Sequence, residues 1–182
     1  MIAIVDYKAG NLTSVKLAFA ALGVETVVTR DPKVIAAADK VVFPGVGAAR
    51  KAMENLAELG LTDVVKAAAT SGKPFLGICL GMQILFEHTE EDGGVDCLGV
   101  LKGKVRRFPA GADKVPEIGW NGDYYYVHSY YAEVVPETAL VADYAGVTFT
   151  AAVKRGKMWA TQFHPEKSGR LGLKLLNEWL QL

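Results

Sequence analysis

Short apolar runs alternate with longer helical patterns through the first half of this 182-residue chain. In the helical patterns the apolar residues recur every three or four positions, which is the spacing of one face of an α-helix. Strands that alternate with helices are typical of βα units, which build a parallel sheet covered by helices on both faces. We therefore expect an open α/β fold, with predicted strands at Ile2–Val5, Val24–Thr29, Val41–Phe43 and Pro74–Ile78.

The pattern changes after Phe86, where the predicted strands follow one another more locally. This change predicts a mixed, mostly parallel sheet flanked by helices, and the lack of repeats or linkers predicts one domain over residues 1–182. Here we expect a solvated loop at Glu90–Gly94, a turn at Gly119–Asp123, an aromatic strand at Tyr124–Tyr131 and a hairpin joining Val147–Lys154 to Lys157–Phe163.

Charge and cysteine content exclude several classes of function. The 20 basic and 20 acidic residues cancel, so no electrostatic footprint predicts binding to nucleic acid or to an anionic membrane. The first residues lack a basic segment before an apolar one, which predicts a cytoplasmic protein. Cys79 and Cys97 are not at metal-ligand spacing, so neither a metal site nor a disulfide framework is expected.

The segment Gly77-Ile78-Cys79-Leu80-Gly81 lies where a buried strand is predicted to turn into a helix. Two glycines permit the sharp bend of a nucleophile elbow, with cysteine as the nucleophile. The start of the helix favours the thiolate of Cys79, and the Leu80 N–H is a candidate oxyanion donor. The alternative for this motif is a buried structural cysteine.

A cysteine nucleophile needs a base, and His164 in Phe163-His164-Pro165-Glu166 is the best placed of three histidines. Pro165 favours extended backbone at His164, and in an extended chain Glu166 points the same way, so its carboxylate can orient the imidazole. On its own, this segment is equally compatible with a surface loop. His128 has two readings, an aromatic sheet face or a substrate contact, and His88 is expected to complement a helix end.

Further backbone donors are predicted in Pro44-Gly45-Val46-Gly47, which follows the third strand. Open α/β folds place their sites at the carboxyl ends of the strands, and glycines let the backbone approach a ligand closely. Gly45, Val46 and Gly47 are therefore candidates for the oxyanion hole, and the alternative is a tight turn alone.

Three motifs occur in order along the chain: Pro-Gly-Val-Gly-Ala, Gly-Ile-Cys-Leu-Gly-Met-Gln and Gln-Phe-His-Pro-Glu-Lys-Ser. With them the chain resembles the class I, triad-type glutamine amidotransferases nearly end to end. Three further segments are similar to the glutaminase subunits of imidazole glycerol phosphate synthases: Ile4 to Val15 with Asp-Tyr and Gly-Asn-Leu, Lys114 to Asn121, and Tyr126 to Tyr131.

This resemblance implies a flavodoxin-like fold and assigns roles to residues. Cys79 would be the nucleophile, His164 the general acid and base, and Glu166 its orienting carboxylate. The resemblance implies that Gly45 to Gly47 complete the oxyanion hole and that the glutamine is held by Gln83, His128, Ser129 and Tyr130. Asn11, Trp120 and Lys167 fall in segments that the family uses at or near its subunit interface.

The resemblance also implies a partner. This chain would hydrolyse glutamine, and ammonia would pass to a (β/α)8-barrel cyclase subunit of a heterodimer, which makes imidazole glycerol phosphate and an aminoimidazole carboxamide ribotide in histidine biosynthesis. No cofactor is required. The alternatives are an amidotransferase subunit for another acceptor, a partner-independent γ-glutamyl hydrolase and a catalytically idle regulatory subunit.

The chain departs from the family pattern at three places. Asn121 is followed almost at once by the aromatic strand, where a longer segment is usual. Ala49 stands where an aromatic residue is common, and Glu117 stands where histidine is common between Pro116 and Gly119. None of these departures touches the predicted triad.

Overall fold

A computed structural model of the protein describes residues 1–111 and 113–182. The strands in chain order are β1 (Ile2–Val5), β2 (Thr26–Thr29), β3 (Lys40–Gly45), β4 (Phe75–Cys79), β5 (His88–Thr89), β6 (Val95–Asp96), β7 (Lys104–Arg107), β8 (Glu117–Asn121), β9 (Tyr124–His128), β10 (Tyr130–Ala132), β11 (Thr138–Tyr144), β12 (Val147–Arg155) and β13 (Met158–Thr161). The α-helices are α1 (Leu12–Ala21), α2 (Pro32–Ala37), α3 (Ala49–Glu58), α4 (Thr62–Thr70), α5 (Leu80–Gln83) and α6 (Gly169–Leu180). Two 3₁₀ turns lie at Glu91–Gly93 and Pro165–Lys167.

One large mixed sheet organises the fold, in the order β2-β1-β3-β4-β13-β12-β10-β7-β5-β6, with β11 paired to β12. The strands β2, β1, β3, β4 and β13 run parallel, and β12 pairs antiparallel with β13. The prediction of a mostly parallel sheet that becomes mixed after Phe86 is confirmed. The carboxyl ends of β3, β4 and β13 consequently lie side by side at one edge of the sheet.

Helices cover both faces of the parallel strands, as the βα rhythm predicts. Alternate residues of β1 point to opposite faces: Ala3 and Val5 pack with helices α2, α3 and α4, whereas Ile2 and Ile4 pack with α1 and α6. This alternation explains why the strand is apolar at every position. None of the helices within the described ranges has the length and apolarity needed to cross a bilayer.

Local sequence signals define where the first helices begin. The Asn11 side chain accepts a hydrogen bond from the Ser14 N–H at 3.3 Å and so caps α1. Asp31 caps α2 by accepting from the Lys33 N–H, and Pro32 occupies the first helical turn. These short polar residues satisfy N–H groups that a helix leaves without partners.

The segment predicted as a turn at Gly119–Asp123 is mostly strand, and that prediction is wrong. Residues up to Asn121 belong to β8, which pairs antiparallel with β9, and only Gly122 and Asp123 form the loop between them. Gly122 adopts a φ of 56°, a left-handed conformation that glycine accepts without strain. The short segment after Asn121 is thus accommodated as a tight two-residue hairpin.

The aromatic strand predicted at Tyr124–Tyr131 is also wrong as a single element. It breaks at Ser129 into β9, which pairs with β8, and β10, which pairs with β7 and β12 in the large sheet. Periodicity alone could not locate this break, because both halves have the same alternating aromatic pattern. The break places the backbone between the two sheets at the edge where β4 ends.

Candidate active site

Cys79 ends β4 with a φ of 54°, a conformation that residues with a side chain rarely adopt. The glycines on either side leave no room for a side chain: a Cβ at Gly81 would lie 1.9 Å from the carbonyl oxygen of Phe43, and one at Gly77 would lie 3.1 Å from the Cβ of Ala160. The chain therefore makes the tight strand-to-helix bend expected of a nucleophile elbow. The helix that follows is only the four residues of α5.

His164 and Glu166 form a buried pair beside this bend. The Nδ1 atom of His164 lies 2.8 Å from Oε1 of Glu166, and both side chains are almost fully buried. His164 has extended backbone before Pro165, as predicted, and its carbonyl accepts a hydrogen bond from the Ser168 hydroxyl. Ser168 precedes α6, but its hydroxyl makes this bond instead of the helix cap.

The protonated form of His164 is favoured by its neighbours. Burial lowers the pKa of this imidazole, but hydrogen bonds to Cys79 and Glu166 and the charges of the same two groups outweigh burial and raise the pKa to about 10. Nδ1 is engaged by Glu166, so Nε2 is the nitrogen left for Cys79. The arrangement is suited to an imidazolium that stabilises a thiolate at neutral pH.

The glycine loop after β3 lies against the nucleophile. Gly45 pairs with Cys79 in the sheet, and a Cβ at Gly45 would fall 2.1 Å from the Tyr7 hydroxyl. Val46 and Gly47 line the cavity together with Cys79 and Leu80, whereas Gly45 is buried and is not part of the lining. Of the predicted oxyanion residues, Val46, Gly47 and Leu80 are therefore the ones that face the space in front of the thiol.

A cavity of about 310 Å³ opens in front of Cys79, a volume suited to a small amino-acid substrate. Its lining comprises Val46, Gly47, Cys79, Leu80, Gln83, Glu91, Pro116, Val127, His128, Ser129, Tyr130, His164 and Lys167. All four predicted substrate residues therefore lie at this cavity.

Glu91 is a charged lining residue that the sequence analysis missed. The segment Glu90–Gly94 looked like a solvated loop, but Glu91 is half-buried and accepts a hydrogen bond from the Ala49 N–H at 2.7 Å. Burial raises the pKa of this carboxyl, although the bond from Ala49 partly opposes the effect. A charge-rich turn gives no sequence signal of burial, because the contact that buries Glu91 comes from the distant start of α3.

His128 is more constrained than either sequence interpretation suggested. Its Nε2 lies 2.7 Å from Oε2 of Glu117 and its Nδ1 lies 2.7 Å from the carbonyl oxygen of Tyr130. Both ring nitrogens are therefore engaged within the protein, and Asn121 donates a further hydrogen bond to Glu117. The unusual Glu117 is thus the partner of His128, on the inner face of the β8–β9 hairpin.

The remaining predicted residues lie as follows. Trp120 is 62% exposed on the outer face of the hairpin, edge-on to Tyr125, and the Lys167 ammonium lies 6.0 Å from the centre of the same Tyr125 ring. Asn11 is occupied in capping α1. His88 lies in β5 and pairs with Asp96, which corrects the expectation of a helix-end role.

Cys97, the second cysteine, lies outside the cavity. Burial, together with the nearby carboxylates of Asp96 and Glu91, raises the pKa of its thiol to about 12. A thiol of this kind is unreactive at neutral pH.

Comparison with known proteins agrees with this site. The family model "Glutamine amidotransferase class-I" matches residues 3–180. The imidazole glycerol phosphate synthase subunit HisH of Methylococcus capsulatus is 46% identical and covers 99% of this chain and 95% of its own; that of Desulfovibrio desulfuricans is 44% identical, covering 100% and 94%. The chain therefore belongs to the class-I glutamine amidotransferases and, within them, to the family of HisH subunits.

Solved structures support the fold. A crystal structure of a glutamine amidotransferase superposes with a TM-score of 0.78 at 22% identity, covering 100% of this chain and 98% of the other. The glutaminase domain of Trypanosoma brucei CTPS, solved with acivicin, gives 0.56 at 16% identity, covering 99% and 93%. The curated alignments run over 198 to 209 positions, more than the 182 residues here, so these relatives carry additional residues inside the matched range.

Proposed function

We propose that the protein hydrolyses glutamine to glutamate and ammonia and that a cyclase subunit of imidazole glycerol phosphate synthase takes up the ammonia. The observation that carries this proposal is the strained Cys79 beside the buried His164–Glu166 pair, in a cavity of amino-acid size. The chain acts as one domain over residues 1–182, in the cytoplasm, where its two thiols stay reduced. The relatives' shared name as subunits supports the need for a partner.

The reaction is a two-step acyl transfer. The Cys79 thiolate attacks the side-chain amide carbon, and the developing oxyanion is stabilised by backbone N–H groups of Leu80 and of the Val46–Gly47 loop. The C–N bond breaks as His164 protonates the departing ammonia. His164 then takes a proton from water, which attacks the γ-glutamyl thioester and releases glutamate and the thiolate. Glu166 holds the imidazole in the tautomer that both steps need.

The cavity offers complementary groups for the rest of the amino acid. Glu91 supplies the carboxylate in the described part of the lining, which matches the α-ammonium group of glutamine. The side chain of Gln83 and the backbone of Ser129 and Tyr130 line the same space and hold the substrate's polar atoms. These groups orient the amide toward Cys79.

The outer face of the β8–β9 hairpin is where the partner docks. Ile118 and Trp120 are 58% and 62% exposed, and they pair in register with Val127 and Tyr125. Val127 also lines the cavity, so this apolar face continues into the site. Exposed apolar patches of this kind mark protein interfaces, and a partner here takes up ammonia before water protonates it. Asn11 and Lys167 lie on the same proposed interface.

The test measures glutamate release by the protein alone, with a purified cyclase subunit, and with that subunit plus its ribonucleotide substrate. We expect strong stimulation only with the cyclase. Robust activity of the isolated protein would favour an independent γ-glutamyl hydrolase, and no activity in any mixture would favour an idle subunit or another acceptor.

Two cysteine variants form a matched pair for the chemistry. Cys79→Ala should abolish glutamine hydrolysis and labelling by a glutamine-like diazo ketone, whereas Cys97→Ala should retain both. Hydrolysis that survives in Cys79→Ala would contradict the catalytic assignment.

A further inference from the structure

Gln162 is a fully buried amide between the nucleophile and the substrate-binding backbone. Its Nε2 lies 3.7 Å from the sulfur of Cys79, and its Oε1 accepts a hydrogen bond from Nε2 of Gln83 at 3.0 Å. The same Gln83 nitrogen donates to the carbonyl oxygen of Tyr130 at 2.8 Å. A chain of hydrogen bonds therefore runs from Tyr130 through two side-chain amides to the thiol.

The chemistry of each partner determines the direction of this chain. The Tyr130 carbonyl only accepts, so Gln83 must turn its amide nitrogen toward it. The second N–H of that nitrogen then points to Gln162, which must present its oxygen. The amide nitrogen of Gln162 is left facing Cys79, and a donor in this position stabilises a thiolate more than a thiol.

The side chain of Gln162 is not needed to hold its own strand end. The backbone N–H of Gln162 donates to the carbonyl of Ala151 at 2.8 Å, and the neighbouring Thr161 hydroxyl donates to the carbonyl of Phe163. These bonds position the backbone on either side of the residue. The side-chain amide of Gln162 is therefore available to bond to Cys79 and Gln83.

Titratable side chains from several elements lie around Cys79 in the described structure. His164 and Lys167 follow β13, His128 ends β9, Glu91 begins the 3₁₀ turn after β5, and Tyr7 follows β1. Burial and the adjacent Cys79 raise the pKa of Tyr7, so this phenol stays neutral at ordinary pH. His164 supplies the nearby positive charge, and Gln162 adds a neutral donor that does not titrate.

We propose that Gln162 is a positioning residue of the glutaminase: it holds the Cys79 thiolate for attack and orients Gln83 toward the substrate. The proposal deepens the proposed function and rests on it for its meaning. It adds a residue that touches neither the reacting amide nor the leaving ammonia.

The test measures the rate at which iodoacetamide alkylates Cys79 as a function of pH, in a Cys97→Ala background that leaves one thiol. Gln162→Met keeps the length and apolar volume of the side chain but removes the donor. We expect it to raise the pH midpoint of alkylation by about one unit, the tenfold effect of one hydrogen bond to a charged group. The kcat for glutamine should fall by a similar factor, with a smaller change in KM.

The matched control is Thr150→Val in β12, which removes a buried hydrogen bond to the carbonyl of Glu133 outside the cavity. It should leave the pH midpoint unchanged. The side chain of Gln162→Asn is one methylene shorter, so its amide no longer reaches the thiol, and this variant should raise the midpoint as Gln162→Met does. It provides the test of the proposal if the Met variant does not fold.

A folded Gln162 variant with the wild-type midpoint would overturn the proposal, whatever its glutaminase activity. A raised midpoint in proteins that hydrolyse no glutamine under any condition would support the positioning role and reject the proposed function. The two failures are therefore distinguishable.

Discussion

Two buried imidazole–carboxylate pairs lie within the same site and differ in what their second nitrogen meets. His164 and Glu166 are joined at 2.8 Å, and His128 and Glu117 at 2.7 Å, and in each pair both side chains are almost fully buried. His164 keeps Nε2 for Cys79. The other ring nitrogen of His128 is hydrogen-bonded to the carbonyl oxygen of Tyr130, so neither nitrogen is available to the substrate.

A carboxylate beside a histidine therefore does not by itself define a catalytic pair. An imidazole acts as acid or base only if one nitrogen can exchange a proton with a reacting group. The first pair meets this condition and the second does not, so the second braces the backbone between β9 and β10.

Replacing His164 should have the largest effect. His164→Ala should lower kcat for glutamine by about 10⁴-fold, because it removes the acid and base of both steps. The measurement is glutamate release in the presence of the cyclase subunit. His88→Ala is the control, since His88 pairs with Asp96 outside the cavity. Equal losses in the two variants would contradict the assignment of His164.

Replacing His128 should act first on stability. His128→Leu leaves the Glu117 carboxylate buried with one partner fewer, which should cost about 3–5 kcal/mol of unfolding free energy in urea. The double variant Glu117→Leu with His128→Leu should recover much of that loss, because no charge is left without its partner. If His128→Leu unfolded like wild type but lost kcat as His164→Ala does, the structural role of this pair would be wrong.

The raised pKa of His164 predicts a pH-dependent contribution to stability. A group whose folded pKa lies above its unfolded value stabilises the fold most when it is protonated in both states, and this contribution is lost as pH rises through the folded pKa. The folded value is about 10 against an ordinary 6.5. The stability difference between wild type and His164→Gln should therefore be largest below pH 6.5 and shrink toward pH 10.

Urea unfolding at pH 6, 8 and 10 measures this difference. Cys79→Ala provides the comparison, because the bond to Cys79 contributes to the raised pKa. A difference that grew with pH would have the wrong sign and would reject the imidazolium at this position.

The outer face of the hairpin should give the smallest effect on the isolated protein. Trp120→Ala should change the unfolding free energy by less than about 0.5 kcal/mol, because the ring is 62% exposed. It should weaken binding of the cyclase by about tenfold or more, as expected for an aromatic anchor. Titration calorimetry measures the affinity, and Leu17→Ala, on the exposed side of helix α1, is the control.

The N-terminal half of the fold was predictable because its signals are local. The range of β1 was predicted without error, because its apolar run is continuous and ends at Asp6. The region after Phe86 was less predictable. The division of Tyr124–Tyr131 into two strands depends on β7, β8 and β12, which pair with it from distant parts of the chain.

Prediction of the site residues was limited in the same way, because only local signals can be read from the sequence. Cys79, His164 and Glu166 stand in motifs whose glycines and proline set their own backbone, so their chemistry could be predicted. The roles of Gln162 and Glu91 could not. Gln162 begins the Gln-Phe-His-Pro-Glu-Lys-Ser motif, but the motif does not specify where its side chain points, and a charge-rich turn gives no local signal of burial. Their positions beside Cys79 and Ala49 are known only from the folded chain.

The parallel sheet, the nucleophile elbow and the resemblance that predicts glutamine chemistry could all be predicted, because each follows from short-range periodicity or from residues adjacent along the chain. The pairing of Glu117 with His128 and the position of Gln162 beside the thiol depend on how the chain folds. Those contacts join residues 11 and 83 positions apart, and the hydrogen-bond partner of a buried polar group is settled by which segments pack together.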